Sequence, residues 1–250
     1  MHTELHHVEG DGPDLVYVPG LDGSGEMLLE TAEHLRKRYR LIQVRYETDE
    51  KTPTATLDDL SLSLAAVLER MDVRHPLLLT ESFGGPVTMN CAVHSPGIFR
   101  SIAIVNSFGR YPKRFGIQAT RFGAAVLPKA LFYFFRPMVA HRFFGELSED
   151  DAVERFLHRE RLNFDEGYKR RLALIASLDL RPRLSSLETP VHLFASEKDL
   201  IVPAVRCAKE LERLLPNATL RTIPRGGHVV LPLQSLPWVD WLAEAFGEPA

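Results

Sequence analysis

Four short stretches carry side chains suited to chemistry: PGLDGSG at 19–25, TESFGG at 80–85, ASEKDLIVP at 195–203 and PRGGHVV at 224–230. A serine hydroxyl is a weak nucleophile until a base takes its proton, and imidazole titrates in the range that allows this near neutral pH. Ser82 is followed by Phe83 and then by Gly84 and Gly85, where the chain can turn sharply. Its plainer reading is a turn serine at a strand end. Of the ten histidines, His228 lies in a loop beyond a late strand-forming run, with room from Gly226 and Gly227. His2, His6 and His7 crowd the amino end, and the rest fall in apparent helices or strands. Asp199 can hold the His228 imidazole in the required tautomer. It can also cap a helix starting near residue 203, and Glu197 is the alternative acid. The charge of a tetrahedral intermediate needs fixed donors. The Phe83 amide, just after the nucleophile, supplies one, and the Leu21 amide beside Gly20 is best placed for the second. Together these parts suit acyl transfer through a covalent intermediate.

Such residues act together only if the chain gathers them. Strand-forming runs DLVYVPG (14–20), YRLIQVRY (39–46), HPLLLTES (75–82), SIAIVNS (101–107), PVHLFAS (190–196) and ATLRTIP (218–224) alternate with helix-length segments. Helices are expected at 25–38, at 56–71, where Leu57, Leu60, Leu64, Ala65, Val67, Leu68 and Met71 follow helical spacing, and at 86–94. The alternation implies an α/β fold, a mainly parallel sheet covered by helices on both faces. Parallel strands deliver their following loops to one edge, so the four stretches would meet there. Residues 110–184 break the pattern and read as a helical insertion above the sheet. The expected division is a core in two parts, 1–109 and 185–250, with a cap at 110–184.

Composition narrows the classes. With 250 residues, 45% hydrophobic and 25% charged, the chain can bury a full core. A formal net charge of -3 gives no overall pull toward nucleic acid. Cys91 and Cys207 form no metal-ligand spacing and read as core residues on helices. PGLDGSG lacks both the G-x-G-x-x-G pattern and the lysine of a phosphate loop, so no nucleotide is expected, and the remaining histidines read as exposed or core-filling imidazoles rather than metal ligands, so neither metal nor cofactor is expected. The amino end has no apolar signal core and no run is long enough to span a membrane, which points to the cytoplasm.

On these motifs the chain resembles the α/β-hydrolase family over nearly its whole length, with the order Ser82, Asp199, His228 and an insertion where that family places its cap. PGLDGSG together with TESFGGP is similar to bacterial relatives of plant esterase/acyltransferase enzymes that handle fatty acyl esters. Thr80 stands where the family's elbow usually has glycine, which implies crowding against the next helix, and Pro19 stands where many relatives have histidine. A serine in place of aspartate at 82 argues against the dehalogenase and epoxide-hydrolase branches. The resemblance implies a serine hydrolase of small-molecule esters. Acyl transfer, thioester cleavage and a non-catalytic ligand-binding protein remain alternatives. From Arg110 to Gly145 there are seven Lys or Arg, seven Phe, two Tyr and no acid. Within LFYFFRP, Phe132, Tyr133 and Phe135 are the candidate substrate-binding rings, lining an apolar acyl pocket. The same composition suits cap helices with an apolar underside, or a transient contact with a membrane surface.

Overall fold

Runs of leucine and β-branched residues become a seven-stranded sheet in the order β1-β3-β2-β4-β5-β6-β7. The strands are β1 His2–Glu9, β2 Asp14–Val18, β3 Arg40–Glu47, β4 Leu77–Glu81, β5 Ser101–Val105, β6 Val191–Ser196 and β7 Ala218–Ile223. The computed structural model describes residues 1–48, 56–112, 143–147, 153–156 and 166–248. All pairings are parallel except that of β1 with β3. Every residue of β4 is buried, as expected of a central strand covered on both faces.

Period-two alternation divides the core. Val16, Val18, Leu78, Ile102, Ile104 and Leu193 face helices α2 Leu57–Arg70, α3 Gly84–His94 and α5 Ala204–Leu214. Leu15, Tyr17, Leu77, Leu79, Val105 and Phe194 face the opposite side, under α1 Glu30–Leu35 and α6 Trp238–Ala245. Helix α2 begins at Thr56, whose hydroxyl accepts from the Asp59 amide at 3.1 Å while the Asp59 carboxylate accepts from the Thr56 amide at 2.7 Å. This reciprocal cap fixes the start of the helix. Cys91 and Cys207 lie buried on α3 and α5.

One local expectation differs from the structure, and one strand was not expected. The helix expected at 25–38 is confined to Glu30–Leu35. Gly25 and Leu29 take positive φ, 80° and 48°, and interrupt any earlier helical start. Strand β1 had no sequence expectation. It is an edge strand tied to α2, with the Thr3 amide donating to Ser63 Oγ at 2.7 Å and its hydroxyl to the Leu60 carbonyl at 2.9 Å. Of the segment 110–184, the described parts include helix α4 Glu166–Ser177 and part of a 3-10 turn at Arg181–Ser186. Phe132, Tyr133 and Phe135 lie outside the described residues. Among the described residues no helix is long and apolar enough to cross a membrane.

Candidate active site

Strand β4 runs straight into Ser82, which takes φ 49°, a left-handed conformation for a residue with a side chain. Such a backbone costs on the order of 1–3 kcal/mol and persists only when its surroundings impose it. Here the Ser82 amide donates to the Val105 carbonyl at 2.9 Å, and its carbonyl accepts from Ser107 Oγ at 2.6 Å. The turn stays tight because position 84 has no side chain. A Cβ there would lie 2.3 Å from Thr80 Oγ1 and 2.5 Å from the Pro19 carbonyl oxygen. The crowding expected from Thr80 is therefore relieved by Gly84, and the threonine hydroxyl donates across the sheet to the Val18 carbonyl at 3.0 Å.

Ser82, His228 and Asp199 follow β4, β7 and β6 and meet at one sheet edge. His228 Nε2 is 3.0 Å from Ser82 Oγ, and Nδ1 is 2.7 Å from Asp199 Oδ2. The Asp199 side chain has no exposure, and that of His228 is 12% exposed. Asp199 does not cap the helix near 203, whose N-cap position is Pro203 with no side-chain hydrogen bond, and instead braces the loop before it. Its Oδ1 accepts from the Ile201 and Val202 amides at 2.8 and 2.9 Å, and it lies just outside α5. Glu197 is exposed, and Asp199 is the acid on the imidazole.

The loop after β2 passes against Ser82, since a Cβ on Gly20 would stand 3.4 Å from Ser82 Cβ. The amides of Leu21 and Phe83 make no hydrogen bond to another described residue.

The His228 loop is held from two directions. Asn106, buried after β5 with φ 47°, places Nδ2 within 3.0 Å of the Gly227 carbonyl and 2.9 Å of the His228 carbonyl, while its Oδ1 accepts from the Ser196 amide at 2.8 Å. From the connection between β5 and β6, the carbonyls of Phe144 and Phe143 accept from the Gly227 and Val229 amides at 2.9 and 2.8 Å, one on each side of His228. A Cβ at Gly227 would sit 2.3 Å from the Phe143 carbonyl oxygen, so this interlock requires glycine. Sequence reasoning missed Asn106, whose partners lie 90 to 122 residues away and leave no local signal.

Burial opposes the imidazolium of His228, but the charge and hydrogen bond of Asp199, with the Glu81 charge adding, hold its pKa above the ordinary 6.5. Glu81 is itself buried next to Ser82 and accepts a 2.5 Å hydrogen bond from Tyr17. Burial pushes its pKa up to about 7, with the Tyr17 hydrogen bond opposing, nearby Asp22 adding and His228 opposing. An essential neutral imidazole makes kcat/KM rise with pH through a midpoint above 6.5. Removing the Glu81 charge lowers that pKa, so Glu81→Gln is expected to move the acid limb to lower pH, measured as kcat/KM against pH. An unmoved limb would show that Glu81 does not act on the base.

The family model described as the alpha/beta hydrolase family matches residues 15–244. RutD of Stutzerimonas stutzeri (strain A1501), named as a proposed carbamate hydrolase, is 26% identical over 100% of this chain and 99% of its own. The fold is shared with an esterase from Exiguobacterium antarcticum, at TM-score 0.84 and 15% identity over 98% of this chain and 96% of that one. It is also shared with the enol-lactonase of Burkholderia xenovorans LB400, at TM-score 0.81 and 18% identity over 98% and 97%. With Ser82 on a tight turn after a central parallel strand, Asp199 and His228 on later loops, and a family match across nearly all of its length, the chain belongs to the α/β hydrolase family.

Proposed function

We propose that the protein is a serine-dependent hydrolase of carboxylic esters with an apolar acyl group, acting through a covalent acyl-enzyme. The observation that carries this is the relay from Ser82 through His228 to Asp199, at 3.0 and 2.7 Å. Ser82 Oγ attacks the ester carbonyl while His228 Nε2 takes its proton. The amides of Leu21 and Phe83 meet the tetrahedral oxygen. Collapse expels the alcohol, which leaves with the proton from Nε2. Water then attacks the acyl-enzyme with His228 again as base, and the acid departs as Ser82 regains its proton. Asp199 stays ionised throughout, holding Nδ1–H and stabilising the imidazolium.

An apolar acyl group is supported by the aromatic density of the inserted segment, with Phe132, Tyr133 and Phe135 as its candidate ligands, and by the likeness of PGLDGSG and TESFGGP to enzymes of fatty acyl esters. Residues 110–184 would form the cap. Transfer to an alcohol or thioester cleavage would use the same three residues. Carbamate hydrolysis is a second reading, favoured by the full-length similarity to the proposed carbamate hydrolase RutD.

Fluorophosphonate labelling at Ser82 is expected to be stoichiometric, and its absence would favour a ligand-binding protein. Each buried methylene contributes roughly 0.8 kcal/mol, so four added acyl carbons should raise kcat/KM by about two orders of magnitude. The measurement is a p-nitrophenyl ester series from acetate to decanoate below the micelle threshold, with and without alcohol acceptors, beside a p-nitrophenyl carbamate. A flat series would overturn the apolar pocket. Turnover of the carbamate alone would select the second reading.

A further inference from the structure

The loop that approaches Ser82 runs from Pro19 to Gly25 without regular structure, and Gly23 and Gly25 take φ 74° and 80°. Its ends are held from β3. The Tyr46 hydroxyl donates to the Pro19 carbonyl at 3.0 Å, the Tyr46 amide to the Gly23 carbonyl at 2.9 Å, and Gln43 Nε2 to the Gly25 carbonyl at 2.6 Å. Its middle is held from the inserted segment. Arg171, on α4, donates from Nε to the Leu21 carbonyl at 2.8 Å and from Nη2 to the Asp22 carbonyl at 3.0 Å. The guanidinium stands 5.7 Å from the Tyr46 ring centre, and the residue is only 3% exposed. Gly23 makes room for it, because a Cβ there would lie 2.9 Å from Arg171 Cζ.

Burying a guanidinium costs several kcal/mol, whereas a loop carbonyl at the surface is satisfied by water. The arrangement is intelligible if these two carbonyls must stay in one place. We propose that Arg171 is a positioning residue for the oxyanion loop, pinning the backbone on the C-terminal side of the Leu21 amide as Tyr46 pins it at Pro19. This rests on the hydrolytic reading above, in which the Leu21 N–H meets the tetrahedral oxygen. A donor stabilises that oxygen best when it needs no reorganisation during the reaction. A loop with glycines at 20, 23 and 25 has the freedom to turn its donor away, and the planar fork of arginine on consecutive carbonyls removes that freedom. The same contact links the inserted segment to the reacting carbonyl.

The test compares wild type, Arg171→Ala and Arg171→Lys, each checked for folding by thermal melting. The probes are p-nitrophenyl octanoate and a trifluoromethyl ketone of matching chain, whose hemiketal with Ser82 mimics the tetrahedral intermediate. In Arg171→Ala, kcat is expected to fall about 100-fold, the loss typical of one oxyanion donor, with KM little changed and ketone affinity falling by a similar factor. Arg171→Lys, which keeps the charge and a single-point donor, should fall between the two. Ethylguanidinium should restore part of the Arg171→Ala rate, and ethylammonium at the same concentration should not. If the alanine variant does not fold, the lysine variant carries the comparison. Unchanged kcat and ketone affinity in a folded variant, or a loss confined to KM or melting temperature, overturns the positioning role. Wild type that neither labels with fluorophosphonate nor hydrolyses the ester overturns the hydrolytic reading itself, a result distinct from a wild type that does both beside Arg171 variants that match it.

Discussion

Ser82→Ala is expected to lower kcat for p-nitrophenyl esters by about four to six orders of magnitude, with the melting temperature little changed or raised. Loss of Oγ removes the atom that forms the acyl bond, while the elbow is held by backbone groups and by Ser107 Oγ on the Ser82 carbonyl, none of which is lost. Alanine also relieves nothing essential to the turn, since Gly84 rather than the serine side chain makes room for it. His228→Ala should cost about as much, because the hydroxyl 3.0 Å away loses its base. The double mutant should be little worse than either single, since the two residues act as one unit. Single-turnover and steady-state rates on all three variants check this. Near wild-type activity in Ser82→Ala would sink the mechanism.

Asp199→Asn is expected to cost about four orders of magnitude, and the geometry says why the substitution is so unforgiving. Asp199 Oδ1 accepts from the Ile201 and Val202 amides at 2.8 and 2.9 Å. An asparagine must therefore place its carbonyl oxygen there and turn its NH2 toward His228 Nδ1. Donation to Nδ1 leaves the ring proton on Nε2, facing Ser82 Oγ, where the ring can no longer act as base. The loss should appear in kcat at neutral pH with the fold intact. Glu197→Gln, at an exposed neighbouring position, should stay close to wild type. If it proves the more damaging of the two, the acid has been assigned wrongly.

The parts legible in sequence share a physical reason. LLLTE, SIAIV and VHLFA are largely apolar, as befits strands covered on both faces, and parallel order then sends the following loops to one edge. Ser82, Asp199 and His228 could be read together on that ground alone. Strand β1 could not, because HTELHHVE lies at the edge, with Thr3 buried and Leu5 40% exposed, so its alternation is carried mostly by polar residues. Asn106 and Arg171 were hidden differently. Each acts on backbone groups distant in sequence, and neither belongs to a local pattern. Glu81 was visible only as the residue before the serine, since its titration depends on burial and on Tyr17 and Asp22.

The two carbonyls at Phe143 and Phe144 bear on how freely the connection from β5 to β6 can be exchanged. Closing a longer flexible connection costs little, about 0.6 kcal/mol for each doubling of its length, so on entropy alone the sheet tolerates a wide range of chain lengths spliced between Ser107 and Val191. The interlock is stricter than the entropy. A transplanted segment must return two consecutive acceptors to the Gly227 and Val229 amides, which lie 2.9 and 2.8 Å from the present ones, or the histidine between them loses its footing. The workable graft junctions therefore lie either both on the N-terminal side of Phe143 or both on the C-terminal side of Phe144, and a chimera that replaces these two residues must rebuild their acceptors or lose the support of His228.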